Sequence, residues 1–213
     1  MSSDRQTSGM TDKITDQPAG ATPLDDISGL LRDDITTRGQ LDEAEGLNIV
    51  NAVEWLERRR FPDVFTVEFY QELHSRMYDQ VWSWAGTLRS VTGARPNIGV
   101  PPQMVPMELG RVAMEYHREW EERAEEKLLP FIARYHHALV TVHPFDNGNG
   151  RWSRLSCDAI VEYLINEPPI IWATETLVKD SDERSAYIAA LKQADQFNYE
   201  PLIGYLTELN GDR

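Results

Sequence analysis

The apolar positions of this chain recur in helical steps over most of its length. Between about Leu41 and Arg60, Ile49, Val53 and Leu56 share one face, at the three- and four-residue spacing with which a helix buries a stripe. Arg58, Arg59 and Arg60 suit the negative C-terminal end of that helix, and Pro62 stops it. Phe69, Leu73, Met77 and Val81 mark a second helix from about Thr66 to Val81. Val105, Leu109, Val112, Tyr116 and Trp120 mark a third long one. Phe131, Tyr135, Leu139 and Val142 mark the next, and Leu155, Ala159, Tyr163 and Leu164 the one after it. Shorter helices are expected over Asp182 to Ala194 and Glu200 to Leu209. The fold class is therefore all-α, with an N-terminal helix.

One segment departs from the helical pattern. Ser90 to Pro102 reads SVTGARPNIGVPP, with two glycines and three prolines among β-branched residues. The expectation is a loop or a short β-hairpin that acts as a flap. An exposed edge there could align a partner segment by strand addition. Residues 1–26 are polar, with scattered Gly, Pro, Ser and Asp. They carry too little apolar area to order themselves, so a flexible tail is expected. The charge-dense run from Glu119 to Leu129 reads as a solvated helix end leading into a loop.

Composition narrows the class. At 213 residues with 41% hydrophobic and 26% charged positions, the chain suits one globular unit with an appendage. No apolar run approaches the ~20 residues of a membrane helix, and the N-terminus has no apolar core of a secretory signal. The lone Cys157 excludes an internal disulfide and suits a reducing compartment, so a cytoplasmic location is expected, without membrane contact. The net charge of −14 opposes nonspecific binding to nucleic acid. It leaves room for a locally positive site that takes a small anion.

Such a site is legible between Val142 and Arg154, in VHPFDNGNGRWSR. One helix ends near His143, and Pro144 prevents its continuation. Phe145 is placed to plug the core below the turn. Asp146 to Gly150 form a tight loop, and a new helix starts near Gly150. The first N–H groups of that helix lack internal partners, and the helix dipole adds positive charge there. Glycines let a bulky anion approach the backbone, which makes an anion-binding nest. Arg151 and Arg154, three apart, share a helix face and can both reach phosphate oxygens. His143 at the edge of the loop can take a proton near neutral pH. A nest beside a general base points to attack of a hydroxyl on phosphorus. His74, His117, His136 and His137 form no metal-binding spacing, and no zinc site is expected.

The string from His143 to Arg154 resembles the Fic motif, HPFx(D/E)GNGRxxR, and the layout over roughly residues 40–210 resembles a Fic domain. Trp84-Ala85-Gly86 followed by Asn97-Ile98-Gly99-Val100 resembles the segment that leads into the family's substrate flap, so Asn97, Ile98 and Gly99 are candidate target-docking residues. ITTRGQLDEAEG, residues 35–46, is similar to the subgroup called mobile mystery protein B. The division that follows is a tail over 1–26, an N-terminal region over 27–61 with an inhibitory helix, and a Fic core over 62–213.

The resemblance implies transfer of AMP from ATP to a Ser, Thr or Tyr hydroxyl of a protein substrate. His143 would be the base. Phe145, Gly148, Asn149 and Gly150 would belong to the nucleotide site, with Gly148, Asn149 and Gly150 on the α-phosphate. Arg151 and Arg154 would hold the β- and γ-phosphates. Gly150, where the phosphorylating Doc branch has lysine, favours nucleotidyl transfer. The family often has Asp or Glu for Mg²⁺ where this chain has Asn147, a neutral and poorer ligand for a hard cation.

Glu45 extends the apolar stripe of the first helix, and a buried carboxylate needs a partner. Leu41 to Gly46 is similar to the family's inhibitory pattern (S/T)xxxE(G/N), with Leu41 in place of the hydroxyl residue. On that resemblance Glu45 pairs with Arg154. A silent nucleotide-binding or interaction module and a transferase using another phosphate donor stay open as alternatives. So do self-modification and homo-oligomer formation.

Overall fold

A computed structural model describes residues 27–58, 63–96, 98–123, 127–173 and 181–211. The expected tail over 1–26, and Pro62 with Arg59 and Arg60, lie outside the described residues. Among the described residues eight α-helices follow in order: α1 (Arg38–Glu57), α2 (Val67–Tyr78), α3 (Arg89–Thr92), α4 (Val105–Glu122), α5 (Leu128–Val142), α6 (Asn149–Leu164), α7 (Asp182–Ala194) and α8 (Glu200–Asn210). The fold is all-α. Among the described residues no helix is long and apolar enough to cross a membrane.

Helix α1 starts three residues earlier than its apolar pattern suggests. Thr37 accepts a hydrogen bond from the Gln40 N–H, while the Gln40 side chain accepts from the Thr37 N–H, a complete capping box. Its buried stripe is Leu41, Glu45, Asn48, Ala52 and Leu56. Two of those five are polar, and both are used. Asn48 donates to the Arg76 carbonyl at 2.8 Å and accepts from the Gln80 N–H at 3.0 Å, which pins α1 to the end of α2. Leu41, standing where the inhibitory pattern has a hydroxyl, is fully buried in the core.

Helix α5 is the centre of the molecule, packed by α4, α6, α7 and α8. Ten of its fifteen residues are buried, around its whole circumference rather than along the single face expected. Helix α6 also differs from its expected face. Of Leu155, Ala159, Tyr163 and Leu164 only Ala159 is buried. Trp152, Cys157, Ile160 and Val161 do the packing.

The expected β-hairpin is not formed. Ser90–Pro102 begins inside the four-residue helix α3, turns at Gly93 with φ 82°, and runs irregularly to a 3₁₀ turn at Pro102–Met104. Pro96, Pro101 and Pro102 remove the N–H donors a ladder would need. The β-pairing among the described residues is one isolated antiparallel bridge, Leu30 with Trp82.

Candidate active site

The turn between α5 and α6 is built from both sides. His143 caps α5 in the left-handed region, φ 51° and ψ 62°, a conformation costly for a side chain other than glycine. Arg89 holds it there. The buried guanidinium donates to the carbonyls of Val142 (3.1 Å), His143 and Val100, and the Arg89 N–H donates to the Pro144 carbonyl at 2.9 Å. A cation on the last carbonyls of α5 also suits the negative end of that helix. The same guanidinium thus ties the irregular flap segment to the turn.

Gly99 completes the tie. Its φ is 103°, and a Cβ there would lie 2.6 Å from the His143 Cβ, so only glycine fits. Ile98, beside it, is 46% exposed. Asn97 lies outside the described residues.

Beneath the turn sits Phe145, fully buried between His74 (ring centroids 3.7 Å apart, stacked) and Trp152 (5.0 Å, edge-on). This corrects the expectation that Phe145 belongs to the nucleotide site: its ring is core. Asn149 is corrected in part. Its side chain accepts from the Phe145 N–H at 2.9 Å and donates to the Phe145 carbonyl at 2.8 Å. That amide braces the loop from within, and only the backbone N–H of Asn149 is left for an anion.

His74 braces it from below. The Gly86 N–H donates to Nδ1 at 3.0 Å, which fixes the tautomer, and Nε2–H donates to the Asn147 carbonyl at 3.1 Å. Burial depresses the His74 pKa to about 3, so the ring is a neutral strut. Gly148, φ 75°, opens α6 as its N-cap, and a Cβ there would strike the Tyr78 ring at 2.6 Å. Arg89, His74 and Tyr78 carry no signal in the local sequence pattern. Each acts across the fold.

The groups for chemistry face this turn. His143 is 4% exposed. Burial first, and the Arg89 charge second, depress its pKa to about 4, while the Val140 carbonyl acts in the other direction. The imidazole is neutral near pH 7, the state in which it can accept a proton. On α6, the Arg151 guanidinium lies over the Tyr78 ring, 5.2 Å from its centroid.

Arg151 also makes an ion pair with Glu45 at 2.7 Å. The other Glu45 oxygen accepts from the Trp82 indole N–H at 2.7 Å, and the residue is 3% exposed. Burial opposes the Arg151 charge, but Glu45 and Tyr78 more than offset it and hold the pKa above the usual arginine value. Glu45 therefore meets Arg151, not Arg154 as expected. The reason is reach: Trp82, stacked on Trp84, fixes the carboxylate over the first arginine. Arg154 is buried, and none of the ion pairs among the described residues includes it. Asp158, one turn on, is turned instead to the Ile170 N–H and the Trp172 indole N–H.

The comparisons decide the family. A sequence model of the Fic/DOC family matches residues 64–161. The chain carries a Fic/DOC-family domain over these residues. It is similar to a protein adenylyltransferase Fic of Nematostella vectensis, 30% identical over 145 residues, covering 66% of this chain and 31% of that protein. A protein adenylyltransferase Fic of Drosophila persimilis is 29% identical over 111 residues, covering 51% of this chain and 20% of that one. The chain thus spans about a fifth to a third of the length of these curated relatives. In structure it resembles Fic-1 of C. elegans, with a TM-score of 0.63 at 24% identity over 84% of this chain and 50% of that one. It also resembles BepC of Bartonella tribocorum, solved with bound AMPPNP, with a TM-score of 0.65 at 16% identity over 96% and 99% of the two chains. These structures show the Fic fold.

Magnesium fits the Fic turn of this chain poorly. Asn147 Oδ1 already accepts from the Gly148 N–H at 2.6 Å. Asp146 accepts from the Thr92 hydroxyl at 2.6 Å, on the α3 side. Among the described residues no group of three or more His, Cys, Asp and Glu side chains could hold a metal ion. A Mg²⁺ bound with phosphates ordinarily has one or two carboxylates, whereas Asn147 offers one neutral oxygen.

The remaining histidines serve packing. His117 stacks on Phe65, His136 Nε2 meets the Tyr187 hydroxyl at 2.6 Å, and His137 meets Asp195 at 3.0 Å.

Proposed function

We propose that this chain is a protein adenylyltransferase that moves AMP from ATP to a Ser, Thr or Tyr hydroxyl of a protein substrate, and that Glu45 restrains it. The observation that carries the reading is one turn with a neutral buried histidine at its entry, the N-terminus of α6 at its exit, and two arginines in the first turns of that helix. The names of the curated relatives support ATP as the donor.

In this reading the α-phosphate sits against the N–H groups that open α6, where the helix dipole stabilises the charge that builds up on its oxygens. A target segment lies along Ile98 and Gly99, which brings its hydroxyl to His143. The hydroxyl oxygen forms a bond to the α-phosphorus, the bond from that phosphorus to the pyrophosphate oxygen breaks, and the hydroxyl proton passes to the imidazole. The arginines hold the departing phosphates. Glu45 restrains the reaction by occupying Arg151, which a phosphate would otherwise engage.

A nucleotide-binding module without transfer is the second reading, favoured by the neutral Asn147. Labelled ATP separates the two. The folded Glu45→Gly protein is expected to incorporate label from the α-phosphate above the level of the unaltered chain. Adding His143→Ala should then cut incorporation by ~10²–10⁴. Label from the γ-phosphate instead would indicate phosphoryl transfer. ATP binding without label from either position would leave the binding module.

A further inference from the structure

A tyrosine outside the motif lies against the anion-binding turn. Tyr78 is the last residue of α2 and is fully buried. Its ring packs on His74, centroids 4.8 Å apart, and on Trp84 at 6.4 Å. It reaches Gly148, the N-cap of α6, where a Cβ would lie 2.6 Å from the Tyr78 hydroxyl oxygen. Over the ring lies the Arg151 guanidinium, its carbon 5.2 Å from the centroid. The hydroxyl thus stands beside the glycine that opens α6 and below the first motif arginine.

That hydroxyl has no hydrogen-bond partner among the described residues. Two other buried tyrosines show what a hydroxyl used by the fold looks like. Tyr135 donates to the Tyr70 oxygen at 3.0 Å, and the Tyr187 hydroxyl meets His136 at 2.6 Å. The Tyr163 hydroxyl also lacks a partner, but it lies at the far end of α6. A buried hydroxyl left unpaired is costly, so its acceptor has to be sought. Burial raises the Tyr78 pKa, so the group keeps its proton and can donate. Its neighbours at the turn are donors too: the first N–H groups of α6 and the Arg151 guanidinium. The Glu45 carboxylate is taken by Arg151 and by the Trp82 indole. An oxygen-rich anion at the turn is the acceptor this arrangement lacks.

We propose that Tyr78 contributes a ligand-binding hydroxyl to the anion site: when a phosphate takes Arg151 from Glu45, the Tyr78 O–H donates to one of its oxygens beside the N–H groups of α6. The hydroxyl is unpaired while Glu45 holds Arg151 and paired once the phosphate does. It therefore favours the phosphate-bound arrangement over the restrained one. The inference rests on the phosphate-binding reading of the turn.

Tyr78→Phe deletes the hydroxyl and keeps the ring. It is made in the full chain and in the full chain carrying Glu45→Gln. Calorimetry measures binding of inorganic tripolyphosphate and of ATP, and urea unfolding measures stability. Tyr78→Phe is expected to weaken tripolyphosphate about tenfold in both backgrounds, the scale of one lost hydrogen bond to a charged group. The urea midpoint should hold or rise, because no bond within the fold is lost. Tyr135→Phe is the contrast: it removes the partner of the Tyr70 hydroxyl, so the midpoint should fall and the affinity stay. Unchanged affinity in Tyr78→Phe would overturn the proposal. So would a lower midpoint or a failure to fold, since either would mean that the hydroxyl has a partner within the fold. The tenfold loss of tripolyphosphate in a chain that does not bind ATP would sink adenylyl transfer and support the role of Tyr78. Binding of neither probe, with or without Glu45→Gln, would sink both.

Discussion

Helix α6 presents two arginines one turn apart, and the two ends of the protein treat them differently. From the N-terminal side, α1 brings a carboxylate to Arg151 at 2.7 Å. On the C-terminal side, none of the ion pairs among the described residues includes Arg154. The first arginine has its charge cancelled by a direct ion pair, whereas the second does not. In the proposed reading, a phosphate arriving at the turn meets one arginine already in an ion pair and one outside any ion pair among the described residues. The inhibitory contact expected from the family pattern had the partners the other way round, with Glu45 on Arg154. The shift follows from Trp82, whose indole N–H holds the second Glu45 oxygen at 2.7 Å.

The sharpest way to break this comparison is to remove the charge of Glu45 and keep its shape. Glu45→Gln can still accept from Trp82 but no longer neutralises Arg151. Affinity for tripolyphosphate should rise about tenfold, equivalent to ~1.4 kcal/mol. No rise in a folded Glu45→Gln protein would mean that the carboxylate does not compete with phosphate. The buried side of the pair makes the contact more than a surface ion pair, yet Arg151 keeps 25% side-chain exposure, which moderates its strength.

Acid should separate the two sides next. His74 and His136 have pKa values depressed to about 3 and His143 to about 4, in each case first by burial, against an ordinary 6.5. Above 6.5 both folded and unfolded forms are neutral and nothing is lost. As pH falls below 6.5 the unfolded chain binds protons that the fold refuses, so stability falls. Asp158 acts the other way: burial raises it to about 7 from 3.8, and in that window the fold takes up the proton. Glu162, also raised by burial, acts in the same direction as Asp158. The three histidines outweigh the two carboxyls. Unfolding free energies from urea titrations should drop between pH 6.5 and 5 by on the order of 1–2 kcal/mol per pH unit. The drop should shrink in His136→Gln, on the Arg154 side, and persist in Glu45→Gln. An equal drop in both variants would remove the distinction.

The smallest effect concerns the metal. Asn147→Asp adds a carboxylate next to the Gly148 N–H and should lower the Mg²⁺ needed for half-maximal transfer by a few-fold, about the worth of one added charged ligand. An unchanged Mg²⁺ titration would show that the charge at position 147 does not set metal use.

What the sequence made legible follows from the range of each interaction. Helices were readable because their causes lie three and four residues apart, and the turn because His143, Gly148, Arg151 and Arg154 fall within twelve residues. Glu45 stood out as a carboxylate on an apolar stripe. Its partner did not, since Arg151 lies on another helix and the choice depends on Trp82. His74, Arg89 and Tyr187 left no local trace: Arg89 works on carbonyls more than fifty residues away, and Tyr187 on a histidine 51 residues back. For the flap the pattern leaves a loop and a hairpin both open, because β-branched residues and glycines favour pairing while three prolines lack the donors for it; the described residues form the loop. The start of α1 was set too late because the Thr37–Gln40 box went unread.

Cys157 gives this fold a clock of its own. The thiol is fully buried on α6, the helix that carries both arginines, and burial holds its pKa well above the ordinary value. Only a thiolate reacts with a disulfide or maleimide reagent, so the folded form is inert and every modification event counts one opening of the helix packing around it. The rate at which a thiol reagent labels this single cysteine therefore reads how often the centre of the molecule breathes. Whether that rate changes when phosphate occupies the turn would say if ligand and core share one cooperative unit.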